Sequence, residues 1–344
     1  MSTTASLVPC STDQKQEELM QEYCKNLLST LPKERWFGSS YLYKYNGFWL
    51  STKLLPGLIA CQNNFQAQDT DVLLVSTPKS GTTWLKALTF TLSNRKIYPI
   101  NQNHPLLKQN PHSLVPFMEF FFFSPEKMNA DFSCPLGRLY STHYPLALLP
   151  ESVLNSGCKI VYLCRNIKDT FVSYWHFSKK LGAEASLEEF FDMFCEGVSL
   201  SGPVWDHVLG YWRESLEKPE KVLFLKYEAL QEKPSFHLKL LAEFMGCPIS
   251  PEEETCGFVD EVLGLCSFDN LSNLEVNKSG TQPTARNEMF FRKGKVGDWK
   301  NYLTGEMEER IDHITAQKFF GSGLSLKGCV KDSKTYSFGS GLSL

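Results

Sequence analysis

The chain lacks the features that would mark it as secreted, membrane-spanning or nucleic-acid-binding. Its eleven cysteines are odd in number, scattered, and include no C-x-x-C pair. That argues against a disulfide framework or a zinc site and for a reducing compartment. Met1-Ser2-Thr3-Thr4-Ala5 has neither a basic nor an apolar stretch, which predicts no signal peptide, and Ser2 stands where myristoylation requires glycine. The longest aromatic cluster, residues 117–123, is far too short to cross a bilayer. Charge of one sign is also missing. A net charge of -3 gives no electrostatic footprint for a nucleic acid polymer, so any anion site must be local, built from a few lysines and arginines. What remains is the expectation of a cytoplasmic globular protein, its 344 residues long enough for one elaborate α/β domain or two smaller ones.

Residues 1–15 are polar and are expected to form a flexible arm. Residues 16–31 carry Leu19, Met20, Tyr23, Leu27 and Leu28 at helical spacing. Beyond them, apolar runs at 71–76, 159–164 and 222–225 each precede a helix-like stretch, at 82–90, 169–179 and 235–245. Near-continuous apolar strands separated by helices predict an α/β fold: a single domain over residues 16–326, with a central, mostly parallel sheet covered by helices on both faces. Ligands of such sheets gather outside the carboxyl ends of the strands. The segment FGSGLSL occurs twice, at 320–326 and 338–344. Two short copies do not make a repeat fold, so residues 327–344 are expected to be a flexible tail.

Thr77-Pro78-Lys79-Ser80-Gly81-Thr82-Thr83-Trp84 follows the first of these strands and opens its helix. Such a turn suits an anion, because the first backbone N–H groups of a helix lack intrahelical partners and carry partial positive charge. Gly81 permits close approach, the Ser80, Thr82 and Thr83 hydroxyls can donate, and Lys79 adds full charge. The lysine precedes the glycine, unlike the G-x-x-x-x-G-K-[ST] loop, which disfavours a nucleoside triphosphatase or nucleotide kinase. The eight residues resemble the phosphosulfate-binding loop of the soluble (cytosolic) sulfotransferases, forming a P-loop-like strand, loop and helix.

Further segments fit the same family in order. Leu163-Cys164-Arg165-Asn166-Ile167-Lys168-Asp169-Thr170-Phe171-Val172-Ser173 resembles the stretch that holds the donor's 3′-phosphate, which implies that role for Arg165 and Ser173. Arg292-Lys293-Gly294-Lys295-Val296-Gly297-Asp298-Trp299 is similar to the motif R-K-G-x-x-G-D-W and implies a 3′-phosphate grip by Arg292, Lys293 and Gly294. Matches at Lys226-Tyr227-Glu228 and Cys266-Ser267-Phe268 imply that Tyr227 and Phe268 hold the adenine, with Trp84 stacked on it. His143, in a Thr-His pair after a short β-like run, matches the family's catalytic base. Imidazole, with an ordinary pKa near 6.5, suits proton transfer near neutral pH. His104, His112 and His313 read as surface or packing residues. Some relatives carry a lysine two residues before the base, where this chain has Ser141, as plant members do. Segments 84–90 and 270–277 also resemble the plant branch.

The resemblance implies transfer of a sulfonyl group from 3′-phosphoadenosine 5′-phosphosulfate (PAPS) to the hydroxyl of a small acceptor, releasing PAP and requiring no metal. His143 would take the hydroxyl proton and Lys79 would stabilise the leaving group. Ser80, Gly81, Thr82 and Thr83 would bind the phosphosulfate. An acceptor pocket is expected from Tyr45, Phe48, Trp49 and Phe117, suited to a flavonoid, steroid or hydroxyjasmonate. A non-catalytic nucleotide sensor is the alternative. Residues 300–309 partly echo the dimer motif K-x-x-x-T-V-x-x-x-E, but Gly305 replaces its valine, which favours a monomer or weak homodimer.

Overall fold

A computed structural model describes residues 11–37, 40–121, 133–134 and 137–326. The expected tail at 327–344 and most of the expected arm lie outside them. A helix occupies Ser11–Thr30, so it starts inside the segment assigned to the arm.

The central sheet is ordered β5-β6-β4-β7-β8, formed by β4 (Val72–Ser76), β5 (Ser133–Cys134), β6 (Gly137–Thr142), β7 (Lys159–Cys164) and β8 (Val222–Lys226). The pairs β4–β6, β4–β7 and β7–β8 are parallel, and β5 is an antiparallel addition at the edge. Side chains alternate across the pleat, so each strand feeds both faces. Leu73, Val75, Ile160, Tyr162 and Phe224 join one core. Val72, Leu74, Val161, Leu163 and Leu225 join the other. Helices Leu55–Asn64, Ile167–Lys180 and Val204–Glu217 cover the first face, and Thr82–Asn94 and Pro234–Phe244 the second. This is the two-faced parallel sheet expected from the apolar runs.

Register then places the site. Val75 pairs with Thr142, Ser76 with Leu163, and Cys164 with Lys226, so β4, β6, β7 and β8 end along one rim. The residues that follow those ends are Thr77, His143, Arg165 and Tyr227. Four segments distant in sequence therefore meet at the carboxyl edge.

A second, three-stranded antiparallel sheet is formed by β1 (Lys33–Arg35), β2 (Tyr41–Tyr45) and β3 (Phe48–Ser51). Its β2–β3 hairpin turns at Asn46 and Gly47, whose φ values of 45° and 86° suit a two-residue Asn-Gly loop. Among the described residues no helix is long and apolar enough to cross a membrane.

Candidate active site

The loop after β4 is held by its own hydroxyls. Ser76 Oγ lies 2.6 Å from Thr82 Oγ1, and Thr77 Oγ1 lies 2.6 Å from Ser80 Oγ. Lys79 has φ 71° and Gly81, the N-cap of helix Thr82–Asn94, has φ 107°. A Cβ at Gly81 would sit 2.7 Å from Tyr227 Cδ2, so packing against the β8 end as well as backbone conformation calls for glycine. No acidic residue stands in the first turn of that helix, leaving its positive end uncompensated.

This loop borders a cavity of about 990 Å³ that also receives Gly81, Thr82, Thr83 and Trp84. Lys79 Nζ lies 3.9 Å from the centre of the Phe177 ring. Burial, then repulsion from Lys180, Arg292 and Arg165, pushes the Lys79 ammonium down to about 7. Cations so crowded create a demand for a bound anion.

The basic clamp comes from two distant segments. Arg165, 7% exposed, donates from Nη2 to the Lys295 carbonyl at 2.7 Å and lies with its guanidinium 4.6 Å from the centre of the Tyr227 ring. Arg292 Nη1 and Lys293 Nζ bind the two oxygens of Asp298 at 2.5 and 2.7 Å. Asp169, fully buried, accepts from the Gly297 and Trp299 N–H groups at 2.7 and 3.1 Å and pins this loop onto helix Ile167–Lys180. Yet Nε of both Arg165 and Arg292 is buried without a partner among the described residues. Two orphaned guanidinium donors beside one cavity fit an anionic ligand. Gly294, at φ 63°, allows no Cβ, which would lie 2.5 Å from Phe268 Cδ2. Ser173, Tyr227, Phe268, Arg292, Lys293 and Gly294 all border the cavity, and Trp84 meets Tyr227 edge-on at 5.6 Å.

His143 enters from the end of β6. Its Nδ1 is 2.6 Å from the Ser76 carbonyl, so Nδ1 carries the proton and Nε2 is left as the acceptor. Its backbone N–H donates to Glu119 Oε1, which also accepts from Thr142 Oγ1 at 2.8 Å. Its carbonyl lies 3.1 Å from His207 Nε2. Burial, opposed by the Ser76 hydrogen bond and reinforced by Lys86, pushes His143 down to about 3. Burial pushes Glu119 up to about 7, against the hydrogen bond from His143. Phe117, 4.8 Å from His143 between ring centres, walls this side.

Not every expected residue reaches the cavity. Ser80 is fully buried, its hydroxyl tied to Thr77, and it does not border the space. Tyr45, Phe48 and Trp49 also stand away from it. Trp49 packs with Leu42 and Val198 and is held by backbone bonds to 201 and 202, while Tyr45 and Phe48 pack on the main core. Ser51, the last residue of that hairpin, and Lys53 and Leu54 just after it border the cavity instead. His112, read as surface or packing, borders it too; an Asn110-Pro111 helix start was its one local signal. Glu119, Phe177 and Phe290 are further lining residues that the sequence did not single out. Among the described residues no group of three or more His, Cys, Asp or Glu is placed to hold a metal.

Comparison with known proteins gives a consistent picture. A family described as "Sulfotransferase domain" matches residues 69–323. Cytosolic sulfotransferase 5 of Arabidopsis thaliana is 49% identical over 89% of this chain and 97% of its own length. Cytosolic sulfotransferase 12 of the same plant is 48% identical over 90% and 95%. Among solved structures, an Arabidopsis thaliana putative steroid sulphotransferase superposes with TM-score 0.72 at 41% identity, covering 95% of this chain and 100% of that one. A mouse sulfotransferase complexed with PAP gives TM-score 0.63 at 26% identity, covering 82% and 95%.

Proposed function

The chain belongs to the sulfotransferase family, and from that premise we propose how its cavity works as a PAPS-dependent enzyme. PAPS supplies the sulfonyl group and leaves as PAP. Arg165, Ser173, Arg292, Lys293 and the Gly294 backbone hold the 3′-phosphate; the two unpartnered Nε donors support this assignment. Trp84, Tyr227 and Phe268 enclose the adenine. The helix N-terminus, with Gly81, Thr82 and Thr83, binds the phosphosulfate end.

His143 Nε2 takes the acceptor's hydroxyl proton. The Ser76 carbonyl fixes the ring's tautomer for that task. Burial first, and then the nearby Lys86 and Lys79 cations, hold the imidazole at about 3, a weak base; a polyanionic donor beside it offsets the cationic part of that shift and raises its basicity. Lys79 stabilises the charge that builds on the leaving oxygen, as a preorganised cation does for other anionic leaving groups. The acceptor lies against Phe117, Phe177 and Phe290. These aromatic walls favour a small, largely apolar hydroxylated molecule of flavonoid, steroid or hydroxyjasmonate type. The curated relatives are named cytosolic, in keeping with action in the cytoplasm, and Gly305 in the partial dimer motif favours a monomer or weak homodimer.

The orphaned arginine donors carry this reading, so the test removes the group they would hold. PAP at 100 times its dissociation constant is expected to add about 2.7 kcal/mol of stability and raise the melting temperature, with ADP, which lacks the 3′-phosphate, adding little. Equal shifts would overturn the 3′-phosphate assignment.

A further inference from the structure

Helix Thr82–Asn94 carries a lysine that has no business in a core. Lys86 is 0% exposed, and burying an amine stripped of partners costs several kcal/mol. Among the described residues its hydrogen bond goes to His112 Nδ1, at 3.0 Å, and its Nζ lies 3.4 Å from the centre of the Phe117 ring. The other nitrogen of His112, Nε2, lies 3.0 Å from Thr83 Oγ1. The imidazole is wedged between Phe117 and Phe290, at centroid distances of 5.3 and 4.2 Å. Lys86, His112 and Thr83 therefore form a continuous chain from the buried face of the helix to the loop edge of the cavity.

We infer that Lys86 and His112 are positioning residues that turn the Thr83 hydroxyl into a hydrogen-bond donor for the anionic end of the donor nucleotide. This rests on the reading of the loop given above and deepens it. An amine donating to Nδ1 obliges the imidazole to carry its proton on Nε2. Nε2–H then donates to Thr83 Oγ1, so the Thr83 proton is not consumed by the ring and can point into the cavity, which Thr83 borders. The opposite tautomer would turn the hydroxyl proton into the ring and present only lone pairs to the phosphosulfate, which repel it. The cation has a reason to persist in the core once the site fills: the bound anion and Glu119 both favour the charged form of Lys86, against the burial that lowers it well below its ordinary range. The cost of hiding a lysine is thereby linked to donor binding.

The linkage predicts strong coupling, which a double-mutant cycle on PAP affinity reads directly. Thr83→Val is expected to weaken PAP about 10-fold, the scale of a hydrogen bond to a charged group. Lys86→Met, which keeps the aliphatic stem, is expected to weaken it about 5-fold or more by releasing the tautomer. In the Thr83→Val background Lys86→Met should then cost nothing further. A merely structural lysine would give additive losses, and additive losses overturn the inference, as would unchanged affinity in Lys86→Met alone. Should Lys86→Met not fold, the cycle is run with His112→Phe, which keeps the ring between Phe117 and Phe290 but removes both nitrogens; the same coupling supports the relay and additivity overturns it. Failure of the wild-type chain to bind PAP would instead strike the donor-site reading itself, so the two failures are distinguishable.

Discussion

If Lys79 is held at about 7 by its surroundings, PAP binding must carry a pH signature. Crowding by Lys180, Arg292 and Arg165, with burial as the larger cause, disfavours the ammonium in the free protein. A bound polyanion reverses that balance, so binding takes up a proton wherever the free lysine is neutral. A group of pKa about 7 is protonated in about ten chains of eleven at pH 6 and about one of eleven at pH 8. From this group alone, PAP affinity should fall about 10-fold between those values. Titration calorimetry in two buffers of different ionisation enthalpy should report about half a proton taken up at pH 7 and nearly one at pH 8. The ligand's own 3′-phosphate ionises near pH 6 and acts in the opposite sense. Lys79→Arg divides that out, because a guanidinium does not titrate in this range; the variant should lose both the uptake and this part of the pH slope. Identical slopes and zero uptake in both proteins would refute the reasoning and show Lys79 charged in the unliganded protein.

Other consequences follow from the same geometry. Gly294→Ala places a Cβ 2.5 Å from Phe268 at φ 63°, so PAP affinity should drop about 10-fold while the unliganded fold loses about 1 to 2 kcal/mol; unchanged affinity would remove Gly294 from the clamp. Acid should destabilise the chain. His143, His207 and His104 are lowered to about 3, 4 and 4 by burial, so below pH 6.5 the unfolded state binds more protons than the folded one. Each contributes stability that is present above that pH and is lost as pH falls, about 2 to 3 kcal/mol by pH 4.5. Glu119, raised to about 7, works oppositely and offsets about one of the three. Denaturant midpoints should therefore fall between pH 6.5 and 4.5, and a flat profile would contradict the burial of these imidazoles in neutral form.

Much of the fold was legible because its signals are local. The runs 72–76, 159–164 and 222–225 are strands because β-branched and leucine side chains fill both faces of a covered sheet. The loop at 77–84, the arginines and His143 stood out as candidates because each follows a strand end or lies in a compact motif, and the structure brings them to one rim. The aromatics of the hairpin misled. Tyr45, Phe48 and Trp49 have the chemistry of a pocket wall, and only the pairing of β2 with β3 and the backbone bonds to 201 and 202 turn them away. Ser80 looked like a phosphate ligand, but its hydroxyl serves the loop itself. Lys86 reads as an ordinary helical lysine and His112 as packing, since 26 residues separate them and their meeting depends on how residues 95–111 return the chain to helix Thr82–Asn94.

The central claim is that His143 moves a proton while a separate clamp holds the nucleotide. Turnover and PAP affinity measured side by side on His143→Ala test it most directly. The account predicts transfer reduced to background with the PAP dissociation constant within about 3-fold of wild type, under 1 kcal/mol. Retained turnover, or a parallel collapse of nucleotide binding, would contradict it and leave the histidine a structural residue.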